Sequence, residues 1–183
     1  YPLRRQRQMC IRDRICTGGI SIRKGFPYLL EAMRIIRKRH DAVLLLMEGV
    51  HPSMEAIMAQ YQDVPIEWAP MLSHDKLGAR LKSAHVFALL SVEEGLARTA
   101  LEAMACGLPV VLTPNTGASD FVVPGRNGEV VPMRDAAATA EAILSCYELY
   151  RRDGLLANED VRSELTYDAF TRRLISHMEL IDA

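Results

Sequence analysis

The chain alternates short apolar runs with segments whose apolar residues recur at helical spacing. Six runs are predicted to be strands: 14–17, 42–47, 65–68, 85–90, 108–113 and 129–131. Helices are predicted after Gly25, over 52–61, from Ser73, over 97–106, from an Asp135 N-cap to about Tyr150, and at about 167–180. Strands that alternate with helices are typical of a parallel sheet covered on both faces. We therefore predict one α/β domain, with a Rossmann-like doubly wound parallel sheet of about six strands.

A ligand site in such a sheet is expected at the carboxyl ends of the strands. The loops that follow the predicted strands are 18–24, 48–52, 69–74, 91–98 and 113–120. Candidate chemistry is therefore sought in these five loops.

Composition narrows the class of protein without naming a function. The 183 residues suffice for one core, and the net charge of −1 with no long basic tract in the body of the chain argues against a nucleic-acid binder. Four cysteines without a Cys-x-x-Cys pair, and no visible secretory signal, favour reduced thiols in a cytoplasmic protein. The apolar runs are too short to span a bilayer.

The first fourteen residues, YPLRRQRQMCIRDR, differ from the rest because they contain five arginines and no amphipathic period. They do not begin with Met, and they resemble the translated adapter read-through found at the ends of assembled environmental sequences. We expect residues 1–14 to be a non-native segment and residues 15–183 to be the domain. The alternative is a basic arm that binds a membrane or a nucleic acid.

The most informative stretch is SVEEGLARTALEAMACGLPVV (91–111), which contains a strand end, a loop, a helix and the start of the next strand. Glu94 lies in the loop before Gly95, and Glu102 follows eight residues later inside the helix. Free N–H groups at a helix start suit a phosphate, and carboxylates accept hydrogen bonds from sugar hydroxyls. A solvated pair at Glu93 and Glu94 with a surface Glu102 is the alternative that spacing alone favours.

This stretch resembles the Glu-seven-residues-Glu motif of retaining GT-B glycosyltransferases, especially glycosyltransferase family 4, and EAMACGLPVV (102–111) matches that family's run nearly letter for letter. The resemblance implies that Glu94 contacts the donor sugar, that Glu102 binds the nucleotide ribose, and that the Gly95–Leu96 backbone lies close to the sugar and phosphates. Thr99 of the same stretch is also expected to bind the donor.

A second element is Arg23-Lys24-Gly25, between the first strand and the first helix. Two cations at a helix start oppose the helix dipole unless an anion is bound, so they favour a pyrophosphate site over a solvated loop. The resemblance implies that Lys24 binds the donor diphosphate, with Arg23 as its helper. Many family members have a further Arg where this chain has Gly19, which leaves the mode of phosphate binding open.

Other positions match the family less well. Asn115, Thr116 and Gly117 lie in a Gly-containing loop that could close over phosphates or could be a simple turn. The family usually has Gly at the place of Ala97 and an apolar residue at the place of Arg98, and Arg98 could pair with Glu94 or contact a phosphate. We expect Trp68, the only Trp, to be a core residue rather than a platform on which a nucleotide base stacks.

The resemblance covers about residues 15–181 and implies the C-terminal, donor-binding lobe of a GT-B fold. It implies an enzyme that transfers a hexose from a UDP- or GDP-sugar to a carbohydrate or lipid-linked acceptor with retention, without a metal, another cofactor or a nucleic-acid partner. Peripheral membrane contact of the full-length protein stays open, and the acceptor lobe is expected upstream, outside this chain. The alternatives are an inactive nucleotide-sugar-binding module, or another GT-B enzyme such as a sugar phosphorylase or a nucleotide-sugar epimerase.

Overall fold

A computed structural model describes residues 13–17, 19–46, 52–68 and 74–156, together with positions 163, 166, 168, 169 and 172. The strands are β1 (Asp13–Thr17), β2 (Ala42–Leu46), β3 (Ile66–Trp68), β4 (Val86–Leu89), β5 (Val110–Leu112) and β6 (Gly128–Val130). The helices are α1 (Phe26–Arg37), α2 (Glu55–Met58), α3 (His74–Leu81), α4 (Arg98–Ala105) and α5 (Ala136–Asp153). Short 3-10 turns span Pro52–Met54, Ala59–Tyr61 and Gly117–Phe121.

The strands form one sheet in the order β3-β2-β1-β4-β5-β6, and every neighbouring pair is parallel. This confirms the predicted doubly wound α/β class. The chain moves outward from β1 to β3 and then returns to the other side of β1 as β4. Because the order reverses between β1 and β4, the loops that follow these two strands lie side by side at the carboxyl edge.

Alternate residues of the central strands pack on opposite faces of the sheet, as the period of two requires. On one face, Leu44 and Leu46 of β2 belong to a core that α1 and α5 cover. On the other face, Leu45 and Phe87 pack with the apolar residues of α4. Both faces of the sheet are therefore covered by helices, which explains why β2 reads as a continuous apolar run.

The turn into α1 positions the loop after β1 against the end of β4. Gly25 has φ +68°, and a Cβ at this place would overlap with the carbonyl oxygen of Leu90. Only glycine fits both the left-handed backbone and this close approach. Asp135 begins α5 as predicted, because its carboxylate accepts a 2.8 Å hydrogen bond from the N–H of Ala138.

Several sequence expectations need correction or lie outside the described residues. The expectation that Trp68 is a core residue is wrong: it ends β3, a three-residue edge strand, and is 50% exposed. The helix expected over 52–61 is a four-residue helix between two 3-10 turns. Strand β1 begins at Asp13, so residues 13 and 14 pair with β2. Nearly all of the helix predicted at 167–180 and of the loops 48–52 and 69–74 lies outside the described residues.

Candidate functional site

Three loops at the carboxyl edge of the sheet are joined by backbone hydrogen bonds. The N–H of Val92, after β4, donates to the carbonyl of Arg23, after β1, at 2.8 Å. The loop after β4 also bonds to the loop after β5, since the N–H of Glu94 donates to the carbonyl of Asn115 at 3.1 Å and that of Gly117 donates to the carbonyl of Gly95 at 2.8 Å. The backbone around the predicted site is therefore held by its own hydrogen bonds.

Side chains after β5 strengthen the same junction rather than facing a cleft. The buried hydroxyl of Thr113 donates a 2.6 Å hydrogen bond to the carbonyl of Ser91, and the amide of Asn115 donates to the carbonyl of Val92 at 2.8 Å. Thr116 is fully buried, with its hydroxyl oxygen 3.3 Å from that of Thr113. Thr113 and Ser91 were not singled out from the sequence, where their only signal is a hydroxyl at the end of a buried strand.

The glycines of the site have different surroundings. A Cβ on Gly117 would lie 2.9 Å from the carbonyl oxygen of Gly95, so glycine at 117 lets the two loops approach. A Cβ on Gly95 itself would meet nothing within 4 Å. The space next to Gly95 is therefore open, as expected of a backbone segment that a ligand approaches.

A cleft of about 500 Å³ opens beside these loops. It brings together four residues proposed from the sequence, and its lining is Lys24, Glu94, Leu96, Ala97, Arg98 and Thr99. The other five proposed residues do not line it: Arg23, Gly95, Glu102, Thr116 and Gly117. Glu102 is half-buried further along α4, four residues after Arg98. A cavity of about 550 Å³ beside α5 contains none of the proposed residues.

The carboxylate of Glu94 lies between two cations. Its Oε2 is 3.5 Å from Nη1 of Arg23 and 4.0 Å from Nζ of Lys24, and its side chain is only 17% exposed. That oxygen is buried and accepts no hydrogen bond from the described residues. Arg23 is held in place because its Nη1 also donates a 2.7 Å hydrogen bond to the carbonyl of Glu93.

Arg98 was expected either to pair with Glu94 or to contact a phosphate. In the described part of the chain, the cations within 4.0 Å of the Glu94 carboxylate are Arg23 and Lys24, so the pairing with Arg98 is not formed. Arg98 is exposed on the cleft wall as the first residue of α4.

The start of α4 has an unusual backbone. Ala97 has φ +53° and ψ +64°, the left-handed conformation, and no side chain caps the first turn. The sequence signal for this was the replacement of the family's usual glycine by alanine. Uncapped N–H groups at a helix start attract anions, and Arg98 and Thr99 of this turn line the cleft. The lining of the cleft thus combines a cation, a carboxylate and a helix N-terminus.

The described residues contain neither a cluster of metal ligands nor a helix that could span a membrane. Within them, no group of three or more His, Cys, Asp and Glu side chains is arranged to hold a metal ion. Their helices are all too short or too polar to cross a lipid bilayer.

Comparisons with known proteins give a family model and several curated relatives. A family model described as "Glycosyl transferases group 1" matches residues 12–148. The putative colanic acid biosynthesis glycosyltransferase WcaL of Salmonella typhimurium is 30% identical over an alignment 185 positions long, which covers 92% of this chain and 45% of that protein. A GDP-mannose-dependent alpha-(1-6)-phosphatidylinositol monomannoside mannosyltransferase of Mycolicibacterium smegmatis is 30% identical over 141 residues, covering 70% of this chain and 37% of that protein.

Solved structures share the fold. Anabaena HepE, crystallised with UDP-glucose, superposes with a TM-score of 0.71 at 17% identity, over 94% of this chain and 50% of the HepE chain. The chain thus spans less than half the length of the two curated relatives and half of the solved one. The fold is a Rossmann-like lobe of the GT-B type, as the sequence predicted. Since the family model covers most of the chain and the relatives agree with it, the chain belongs to the group 1 glycosyltransferases.

Proposed function

We propose that this chain is the donor-binding lobe of a retaining glycosyltransferase that moves a hexose from a nucleoside diphosphate sugar to an acceptor hydroxyl. The observation that carries the proposal is the cleft that Lys24, Glu94 and the first turn of α4 line together. A diphosphate needs cations and N–H donors, and a hexose needs hydrogen-bond acceptors. The lining of this cleft offers both the donors and the acceptor.

Each group has a distinct role in the proposed reaction. Negative charge develops on the diphosphate as the sugar departs, and Lys24 with the N–H groups at the start of α4 would stabilise it there. Glu94 would orient the hexose by accepting hydrogen bonds from its hydroxyls. Glu102, further along α4, would accept from the ribose hydroxyls of the nucleotide, and Arg23 would assist Lys24. Leu96, Thr99 and the Gly95 and Gly117 backbones would shape the pocket around the sugar and phosphates.

We propose a UDP- or GDP-sugar as the donor and a carbohydrate or a lipid-linked sugar as the acceptor. Similarity to HepE, which was crystallised with UDP-glucose, and to a mannosyltransferase named as GDP-mannose-dependent supports a nucleotide sugar of this kind. The diphosphate and the sugar hydroxyls are common to both donors. In this cleft, Lys24 and the start of α4 suit the diphosphate, and Glu94 suits the sugar hydroxyls.

The acceptor would bind to a second lobe. The curated relatives are more than twice as long as the part of them that matches this chain, which leaves room for such a lobe in the whole enzyme. We propose that the enzyme acts in the cytoplasm. The buried thiol of Cys146 forms no disulfide, which supports this location because oxidising compartments favour disulfides.

Calorimetric titration with UDP and with GDP tests donor binding. We expect the wild-type chain to bind one of the two nucleotides, and Glu102→Ala to bind it about tenfold more weakly, since a hydrogen bond to a charged group contributes roughly 1.5 kcal/mol. Glu141→Ala removes an exposed glutamate from α5 and serves as the control, with unchanged affinity. Binding that Glu102→Ala leaves unaltered, or no binding by the wild type, would contradict the proposal.

A transfer assay tests the division of labour between the two lobes. The 183-residue chain, incubated with UDP-glucose or GDP-mannose and candidate acceptors, is expected to release no nucleotide above the background rate. Measurable turnover by this chain alone would show that it also holds the acceptor site.

A further inference from the structure

The ion pairs around Glu94 suggest a role for this residue beyond contact with the sugar. We propose that Glu94 is an internal counter-ion that competes with the diphosphate of the ligand for Arg23 and Lys24. The site would thereby discriminate between a nucleotide sugar and a sugar-free nucleoside diphosphate. The inference rests on the proposed function, because it concerns the same cleft and the same class of ligand.

The cations beside the cleft are balanced by a carboxylate of the protein itself. Arg23 and Lys24 precede α1, where two cations oppose the positive end of the helix dipole. The Glu94 carboxylate, at 3.5 Å from one and 4.0 Å from the other, supplies the negative charge that this place requires. In the described structure, a side chain of the protein thus stands where a diphosphate is expected to bind.

The Glu94 carboxylate is not fully hydrogen-bonded. Its Oε2 is buried and lies near two cations, but it accepts no hydrogen bond from the described residues. A carboxylate in this state is attracted by charge without being fixed by good hydrogen-bond geometry. It can therefore be displaced from the cations when a stronger anion enters, and it then has free lone pairs for a hydroxyl donor.

The consequence depends on what the ligand offers to the displaced carboxylate. When a nucleotide sugar binds, its diphosphate pairs with Arg23 and Lys24, and a sugar hydroxyl donates a hydrogen bond to the displaced Glu94 carboxylate. A sugar-free nucleoside diphosphate also pairs with the two cations but has no sugar hydroxyl for Glu94, so the displaced carboxylate is left without a partner. Glu94 would thus weaken the binding of the product nucleotide relative to the donor, and would favour its release after the sugar has left.

The test compares Glu94→Gln with Glu93→Gln in the full 183-residue chain. Glutamine keeps the shape of the side chain and removes its charge, and Glu93, the exposed neighbour, controls for the change in net charge. The probes are inorganic pyrophosphate, UDP and GDP, followed by UDP-glucose and GDP-mannose, in calorimetric titrations at one fixed ionic strength. Thermal unfolding of each variant verifies that it is folded.

We expect Glu94→Gln to bind pyrophosphate and the preferred nucleoside diphosphate about three- to fivefold more tightly than the wild type, the upper part of the range for a weak, partly exposed ion pair. The preference for nucleotide sugar over nucleoside diphosphate should also fall, because the neutral glutamine accepts a weaker hydrogen bond from the sugar hydroxyl than the carboxylate does. Glu93→Gln should change neither affinity by more than about twofold. Unchanged or weaker binding of both sugar-free probes by a folded Glu94→Gln would overturn the inference.

A double-mutant cycle with Lys24→Gln separates competition from a general effect of charge. If Glu94 acts through the cations, its replacement should strengthen pyrophosphate binding less when Lys24 is already neutral. An equal gain in both backgrounds would overturn the inference. Should Glu94→Gln fail to fold, Glu94→Asp replaces it, since the shorter side chain withdraws the carboxylate and should give a smaller gain of the same sign. Absence of binding by the wild type would instead refute the proposed function itself.

Discussion

Ala97 occupies a backbone conformation that suits glycine, and replacing it by glycine should stabilise the protein. Its φ of +53° and ψ of +64° place it in the left-handed region immediately before α4. An L residue in this region costs roughly 1–2 kcal/mol because its Cβ crowds the following carbonyl oxygen. Ala97→Gly removes that crowding without touching a hydrogen bond, since alanine has no polar side-chain atom.

Two opposing effects reduce the gain. Glycine increases the conformational freedom of the unfolded chain, which costs about 0.4–1 kcal/mol, and the half-buried methyl group contributes a few tenths of a kcal/mol. The expected net stabilisation is about 0.5 kcal/mol, equivalent to a rise in Tm of about 1–2 °C.

Urea or thermal unfolding measures this small change best by comparison with a second Ala→Gly variant. Ala138 is equally half-buried but has the helical backbone of the first turn of α5, where glycine should destabilise by about 1 kcal/mol. The two variants should therefore differ by about 1.5 kcal/mol, well above the error of either measurement. Equal destabilisation by Ala97→Gly and Ala138→Gly would show that Ala97 is not strained.

Three further predictions follow from local geometry. Gly25→Ala should destabilise by several kcal/mol, because its Cβ would overlap with a backbone carbonyl; Gly125→Ala, with φ +73° but open space around it, should cost only about 1–2 kcal/mol, and equal losses in urea unfolding would contradict the overlap. Asp135→Ala should lower the free energy of unfolding by about 1 kcal/mol through loss of the cap on α5, whereas Asp135→Asn should retain most of it. Burial raises the pKa of the Cys146 thiol to about 12, so at pH 8 its alkylation, followed by mass spectrometry, should occur only on unfolding; rapid modification in the folded state would refute this.

The class of fold could be predicted because it depends on local patterns. Alternating apolar runs and helical periods gave the parallel sheet, and the Asp135 cap was readable from its position before an apolar helix. Trp68 was misplaced because nothing in the sequence shows that β3 is the edge strand, and side chains on a short edge strand have little to pack against. Strand order is decided by long-range packing rather than by local propensity.

The candidate site divides in the same way. A motif identified Glu94 and Lys24 as members of one site, and they do line one cleft. The motif could not show which cation pairs with Glu94. Arg98 is nearer to Glu94 in sequence, but Arg23 is nearer in space because β1 and β4 are neighbours in the sheet. Thr116 was expected in the site because it belongs to a Gly-containing loop after β5, but its side chain is buried with its hydroxyl 3.3 Å from that of Thr113.

The site combines a fixed backbone with side chains that can exchange partners. Hydrogen bonds between the three loops hold the backbone at Arg23, Glu94 and Gly117 before any ligand binds, so little conformational entropy remains to be lost in the loops on binding. What can change is the pairing among Arg23, Lys24 and Glu94, whose contacts of 3.5 and 4.0 Å are too long for strong hydrogen bonds. If the loops instead reorganised on binding, nucleotide would protect the amide hydrogens of Val92 and Gly117 from exchange. Because both N–H groups already donate to backbone carbonyls at 2.8 Å, we expect their protection to be high in the free chain and to change little with nucleotide.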